Sequence, residues 1–459
     1  MREIDVDLTE GSIAGHFRTL ALPAALGMLF STLYNVVDVY FAGQISTEAQ
    51  AGLAIGFQAF FIMMSVGFGL GAAMSALVGN AKGSKDDAQA RALASQGLSF
   101  GILAVAILLI VGVFGGPLLI QLVSEPGGYR DAATTYFYIL LAALPGFLMA
   151  YGANGILQAH GDTKSLQRAL MVAFFANCGL NPLLIYGIPG LIPGLGLPGI
   201  AVATVISQTG VMVWIITRVM GRRIMEGFSL SWLTPDLPRY REIAAQMLPT
   251  TSAMMVMFIS GFVVQYALKN FGPEAIAAYG VALRIEQILL LPVLGMTGAL
   301  LPIAAQNFGA QEYDRVRESL FFCFKLGFVM SAVAFPILWF ASPFFIRLFS
   351  DDPEVVRIGT SYLRVDSIIF PIYMMLFAIN SFLQALKRPV WTLWISIYRQ
   401  GFGVAFFIWI YVGLIGMDVW GVWIGIATAV ATGWLLALFI AARIAGEEIG
   451  GLRAQASPA

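Results

Sequence analysis

The sequence predicts an all-α integral membrane protein: twelve transmembrane helices in two parallel six-helix repeats, an N-lobe and a C-lobe, around a central cleft. Three observations carry that prediction. Of 459 residues, 59% are hydrophobic and only 11% charged, with a mean hydropathy of +0.81, a composition that no soluble domain of this size adopts. Twelve apolar runs each reach the length of about 20 residues that crossing roughly 30 Å of hydrocarbon requires. The first half of the chain is also repeated in the second.

The runs fall at 17–42, 51–80, 92–123, 133–157, 166–187, 197–219, 245–268, 275–305, 319–347, 359–385, 392–413 and 419–443. Their connections are short, so no soluble domain hangs off the bundle. The N-terminus "MREIDVDLTEGS" is acidic and has no basic region followed by a cleavage site, so a removable signal peptide is not expected. "DLTEGSIAGHF" reads instead as the capped start of the first span. Cys178 and Cys323 lie in apolar runs, where a free thiol behaves as a small hydrophobe.

Net charge is zero, but its distribution is lopsided. Lys82, Lys85, Arg91, Arg218, Arg222, Arg223, Arg239, Arg241, Arg315, Arg317, Lys387 and Arg388 flank one membrane face, whereas the other holds Arg130, Lys269, Arg347, Arg357 and Arg364. The positive-inside rule therefore places both termini in the cytoplasm of a multi-pass inner (plasma) membrane protein.

Sliding the sequence by 226 residues aligns the halves almost without gaps. "LPAALGM" at 22 meets "LPTTSAM" at 248, and "AKGSKDDAQAR" meets "NFGAQEYDRVR". Tyr136 meets Tyr362, Pro145 meets Pro371, and "NGILQA" at 154 meets "NSFLQA" at 380. Each copy has an even number of spans, so both enter the membrane in the same orientation. The division is an N-lobe over 1–220, a basic cytoplasmic connection over 221–244 that joins the lobes without fixing them together, and a C-lobe over 245–459. Two lobes about a cleft point to an alternating-access transporter rather than a channel.

"NVVDVYFAG" on span 1, "GAAMSALVGNAKGSKD" closing span 2, "ALRIEQILLLPVLGM" on span 8 and "ALLPIAAQNFGAQEYDRVRE" after it resemble the multidrug and toxic compound extrusion (MATE) family, in particular its DinF-like branch. The resemblance covers nearly the whole chain. It implies export of amphipathic, often cationic compounds in exchange for protons or sodium ions. It also implies that an aspartate on span 1 carries the coupling ion, helped by polar residues on spans 5 and 6. Asp38, Asn177, Asn181 and Thr204 match those positions. Some relatives carry a second aspartate where this chain has Asn181, so a two-carboxylate site is not available here.

The residues support that placement independently. Asp38, Asn181 and Thr204 lie within about 5 Å of one depth at 1.5 Å per residue, and Asn177 stands one turn from Asn181 on the same helix face. Ionisable groups inside spans are rare and functional by default; the plainer reading of the amides is interhelical packing. The repeat acts as a control, because Asp38 aligns with Val264, Asn177 with Gly403 and Asn181 with Phe407. The second lobe instead carries Arg284 and Glu286, read as a charge-neutral pair near mid-membrane that serves either structure or transport. Asp366 and Arg364 fall close to an outer helix end, and Arg399 can snorkel to the inner surface. Pro23, with its counterpart Pro249, removes a helix hydrogen bond and permits a kink that couples Asp38 to bending. Met28, Phe60, Met63, Met64, Phe147 and Met255 are weaker candidates for an adaptable drug pocket. His16 and His160 fall at inner boundaries, where a solvated side chain is expected.

The expected function is cation-coupled multidrug antiport with the proton favoured over sodium, because Asp38 is the lone carboxylate of its cluster. Lipid or lipid-linked sugar flipping would require a cationic cavity. A membrane-embedded enzyme would require paired acids or a histidine cluster within the spans. No phosphate-binding loop with Lys and Ser/Thr occurs, so neither ATP nor any other cofactor is expected. "GFGLGAA" at 67 reads as close helix packing. The expected partners are small organic cations and the lipid bilayer, with no nucleic acid and a monomeric state.

Overall fold

Four of the long helices begin where a short polar side chain accepts from their first free backbone N–H groups. In the computed structural model, which describes residues 6–188, 190 and 193–452 and leaves out the side chains of Phe258 and Ile259, Ser46 accepts from Ala49 N and opens α2 (Thr47–Gly83) directly after α1 (Ile13–Ile45). Asp86 accepts from Gln89 N to open α3 (Asp87–Val123). After α4 (Gly128–Leu141), α5 (Leu144–Ala159), α6 (Lys164–Tyr186) and α7 (Leu197–Met220), a connection runs to α8 (Leu237–Leu268). The second half continues with α9 (Pro273–Gly309), α10 (Tyr313–Phe340), the short α11 (Ser342–Arg347) and α12 (Pro353–Ala385), which is capped by Asp352. It ends with α13 (Val390–Ser396), α14 (Val404–Ile408) and α15 (Val419–Ile449), capped by Asp418.

Among the described residues eleven helical stretches are long and apolar enough to cross a membrane. The pair α4 and α5, bent by 49°, passes together and gives up to twelve. The expected single span at 133–157 is thus broken at Ala142–Ala143. Pro145, second in α5, has no N–H to give and its ring crowds the carbonyl four residues back. The span expected at 392–413 is helical but underwound, with wider π-helical turns over Ile397–Gly403 and Trp409–Leu414 on either side of α14.

The repeat extends to turn geometry. Lys85 and Gln311, 226 residues apart, both take left-handed backbone (φ 57° and 63°), and so do Gly161 and Lys387 (φ 73° and 58°). Arg91 Nε donates to Ile224 O (3.0 Å), while its counterpart Arg317 donates to Gly451 O (2.7 Å) and to Ile449 O. Each repeat therefore ties its third helix to the segment after its last one.

By internal contacts the chain forms two units. The first takes the residues up to Glu10 together with Leu22–Leu248; the second takes Gly11–Ala21 and everything from Pro249 onward. The division falls two residues before Pro23 and directly before Pro249. The connection expected over 221–244 to leave the lobes unfixed belongs to the first unit, and its residues from Leu237 onward are already the start of α8. Gln96 Nε2 donates to Trp232 O (2.9 Å) and Thr234 O (2.8 Å), Asp236 N donates back to Gln96 Oε1 (2.9 Å), and Arg91 lies over the Trp232 ring (5.4 Å).

Within the first unit, α2 and α5 pack closely where the glycine run of α2 lies. A Cβ on Gly71 would stand 2.7 Å from Tyr151 O, and one on Gly67 3.2 Å from Leu148 Cα. The obstacle is rigid backbone in both cases. Gly71→Val is accordingly expected to destabilise the first unit by about 1–3 kcal/mol or more, read as a lowered melting temperature in detergent; an unchanged melting temperature would refute the close-packing role of this run.

Candidate functional site

Asp38 sits in α1 amid apolar neighbours and is 4% exposed. Asn177 and Asn181 lie one turn apart on α6 and are fully buried, and Thr204 on α7 is 2% exposed. The depth that α6 and α7 share is set by a tight connection: Leu195 N donates to Leu184 O (2.8 Å) and Gly196 N to Ile185 O (3.1 Å). Gly199 allows this approach, since a Cβ there would lie 2.7 Å from Leu184 O.

These three helices bring the four side chains into one network. Asn181 Nδ2 donates to Asp38 Oδ1 (2.8 Å) and to Asn177 Oδ1 (3.0 Å), and Thr204 Oγ1 donates to Asp38 Oδ2 (3.1 Å). Both carboxylate oxygens are thus held by neutral donors. Asn181 Oδ1 and Asn177 Nδ2 have no partner among the described residues, which leaves an acceptor and a donor facing the same cluster. A buried carboxylate bonded by uncharged groups can hold a cation, and a proton is the smallest that neutralises it.

Tyr34, one turn before Asp38 on the same helix face, completes the site. It is 5% exposed, and its hydroxyl lies beside Thr204, Ser207 and Asn177. The signal is present in "YNVVD", where Tyr34 and Asp38 stand at i, i+4.

Pro23 is buried inside an uninterrupted α1. Of the candidate drug contacts, Phe60, Met63, Met64 and Phe147 are packed in the hydrophobic core of the first unit, with the Phe60 and Phe147 rings edge to face at 5.5 Å. In this conformation they are core residues with no open face. Met28 and Met255 are half-buried.

The second lobe departs from expectation. Arg284 is exposed, and Glu286 is buried with its Oε2 accepting from Tyr362 OH (2.7 Å). Residues two apart on a helix point to opposite sides, so Arg284 and Glu286 do not form the expected pair. The guanidinium that faces Glu286 is that of Arg399, which is 8% exposed and lies over the Tyr373 ring (5.6 Å) instead of snorkelling. Asp366 is likewise buried, at 1% exposure, because Asp352 and Pro353 start α12 well before 359 and move position 366 deep into the helix. Arg364 is exposed, donating to Trp339 O (3.2 Å). Both histidines are buried rather than solvated: His160 Nδ1 lies 2.8 Å from Ile156 O, and the N-terminal segment covers it, with Val6 N donating to His160 O.

The MatE family model matches residues 23–186 and again 249–409. A FAD transporter of Shewanella oneidensis is 27% identical over 388 residues, covering 83% of this chain and 84% of its own length. The probable multidrug resistance protein YoeA of Bacillus subtilis is 25% identical over 427 residues, 90% of each chain. Among solved structures, a MOP superfamily transporter from Pyrococcus furiosus superposes with a TM-score of 0.88 at 21% identity, covering 97% of this chain and 98% of its own.

Proposed function

Because the chain belongs to the MatE family of multidrug and toxic compound extrusion transporters, we propose that it is a proton-coupled antiporter exporting amphipathic, often cationic compounds by alternating access. Asp38 carries the coupling ion. The observation that supports this most directly is the Asp38 carboxylate, 4% exposed and bonded by Asn181 and Thr204, both neutral. Its negative charge is costly there unless a cation accompanies it. Protonation removes that cost and loosens the contacts to Asn181 and Thr204. α1 then bends near Pro23, and the drug is released outward. The protein sits in the inner membrane with both termini in the cytoplasm, as the basic residues flanking one face support.

Sodium is the alternative, favoured by the unpartnered Asn181 Oδ1 beside the Asp38 carboxylate. A sodium shell needs several oxygens, and these supply at most part of one. The test is transport of a cationic dye in proteoliposomes with pH and sodium gradients imposed separately. A pH gradient in sodium-free buffer is expected to drive dye movement. Movement that appears only with a sodium gradient at constant pH would make Asp38, Asn177, Asn181 and Thr204 sodium ligands. FAD belongs in the same vesicles as a competing cargo, given the Shewanella relative; FAD movement without dye movement would replace the substrate class and leave the ion question standing.

A further inference from the structure

The first unit carries a groove that the Asp38 network does not use. It lies between α6 and α7, has a volume of about 260 Å³, and counts Ala173, Ala176, Leu180, Ile206, Gly210 and Trp214 among its walls. Ala176 and Leu180 each precede an asparagine of the Asp38 network by one residue, so they point about 100° away from it around α6. Gly210 widens the groove, since a Cβ there would meet nothing within 4 Å. From Ile206 to Trp214 the groove runs about 12 Å along α7. Its mouth is basic. Lys164 and Arg168 stand exposed one turn apart at the start of α6, and Arg168 lies one turn before Val172 of the groove wall. Arg218, one turn past Trp214, donates from Nε to Ser165 Oγ (3.3 Å), which brings the ends of the two helices together at that mouth. The carboxylate at this turn, Asp162, is already paired with Arg222.

We infer that this groove seats an anionic phospholipid from the leaflet on the basic face, with an acyl chain between α6 and α7 and the phosphate at Lys164 and Arg168. The chemistry selects the occupant. A concave wall of Ala, Gly, Leu and Ile accepts a flexible hydrocarbon chain and leaves no backbone group unsatisfied, because both helices bond their own backbone. Trp214, 39% exposed at the mouth, has the place of an indole at the boundary between headgroups and hydrocarbon. Cations just beyond it complement a phosphate, as basic pockets between helices on the cytoplasmic side of a membrane do. A cationic drug would meet Lys164 and Arg168 at the mouth and be repelled there. The seat adjoins the Asp38 network: Ser207, 5% exposed, lines the groove and stands beside the Tyr34 hydroxyl. The site is independent of which ion Asp38 carries.

Trp214 supplies the test. The protein is reconstituted in phosphatidylcholine vesicles that contain a small fraction of lipid with brominated chains, which quench indole fluorescence on contact. That lipid is either phosphatidylglycerol or phosphatidylcholine. The fluorescence component lost in Trp214→Phe reports the groove. Its quenching is expected at a mole fraction at least about fivefold lower for brominated phosphatidylglycerol, the factor that a single cation near the surface contributes toward an anionic headgroup. The Lys164→Gln, Arg168→Gln double variant should lose this preference and be quenched equally by both lipids. Gly210→Phe, which fills the groove where a side chain has room, should weaken quenching by both. If the variants do not fold, the unaltered protein still decides: equal quenching by the two lipids makes the groove ordinary lipid-facing surface and overturns the proposal. A preference that survives the double variant overturns it as well. Efflux plays no part in this readout, so failure of the Asp38 assignment leaves the result standing.

Discussion

Replacing Asp38 with asparagine is expected to reduce drug efflux to the level of empty vesicles while the protein still folds and inserts. The network shows why the fold holds. The Oδ1 of an asparagine at 38 can still accept from Asn181 Nδ2, and its amide can donate to the Thr204 hydroxyl, which rotates to accept. Every partner is kept, and a buried neutral amide costs less than a buried charge. What disappears is the one carboxylate of this cluster, the group on which the proposed coupling rests. Melting temperature should stay level or rise, while cationic-dye transport under an imposed pH gradient should be lost. Normal efflux by the variant would remove Asp38 from the transport cycle.

The second large effect concerns stability at the turn between α5 and α6. Asp162 and Arg222 form an ion pair in which both side chains are almost wholly buried, at 0% and 3% exposure. Asp162 also accepts from Ser165 N (2.9 Å) and Ser165 Oγ (2.7 Å), which caps the start of α6. Removing one partner of a buried pair leaves the other charge uncompensated and costs about 3–5 kcal/mol. Arg222→Ala is therefore expected to lower the melting temperature sharply and reduce yield. Asp162→Ala should cost at least as much, because it also removes the cap. The double variant should lose clearly less than the sum of the singles, since no stranded charge remains. Additive losses would show that the two residues act separately. This pair also holds the end of α7 to the start of α6, the two helices that carry Thr204 and Asn181.

The membrane class, the spans, the internal repeat and the Asp38 cluster were legible in the sequence because each rests on a local or periodic property. Apolar run length fixes what can cross a bilayer, a 226-residue offset shows through single aligned residues such as Pro23 with Pro249, and a carboxylate in an apolar run stands out without any contact map. The match of Asn177 with Asn181 followed from helix periodicity alone. What only the tertiary structure decided depends on which side of a helix meets which neighbour. Arg284 and Glu286 are close in sequence yet face apart, whereas Glu286, Tyr362 and Arg399 come from three distant segments and meet. Asp366 read as a solvated end residue because α12 begins earlier than its apolar run, and the start was set by the cap at Asp352 rather than by hydropathy. The candidate drug contacts Phe60, Met63, Met64 and Phe147 became core for the same reason. An apolar side chain carries no mark of whether lipid, ligand or a second helix will cover it, and the covering partner is chosen only when the helices pack.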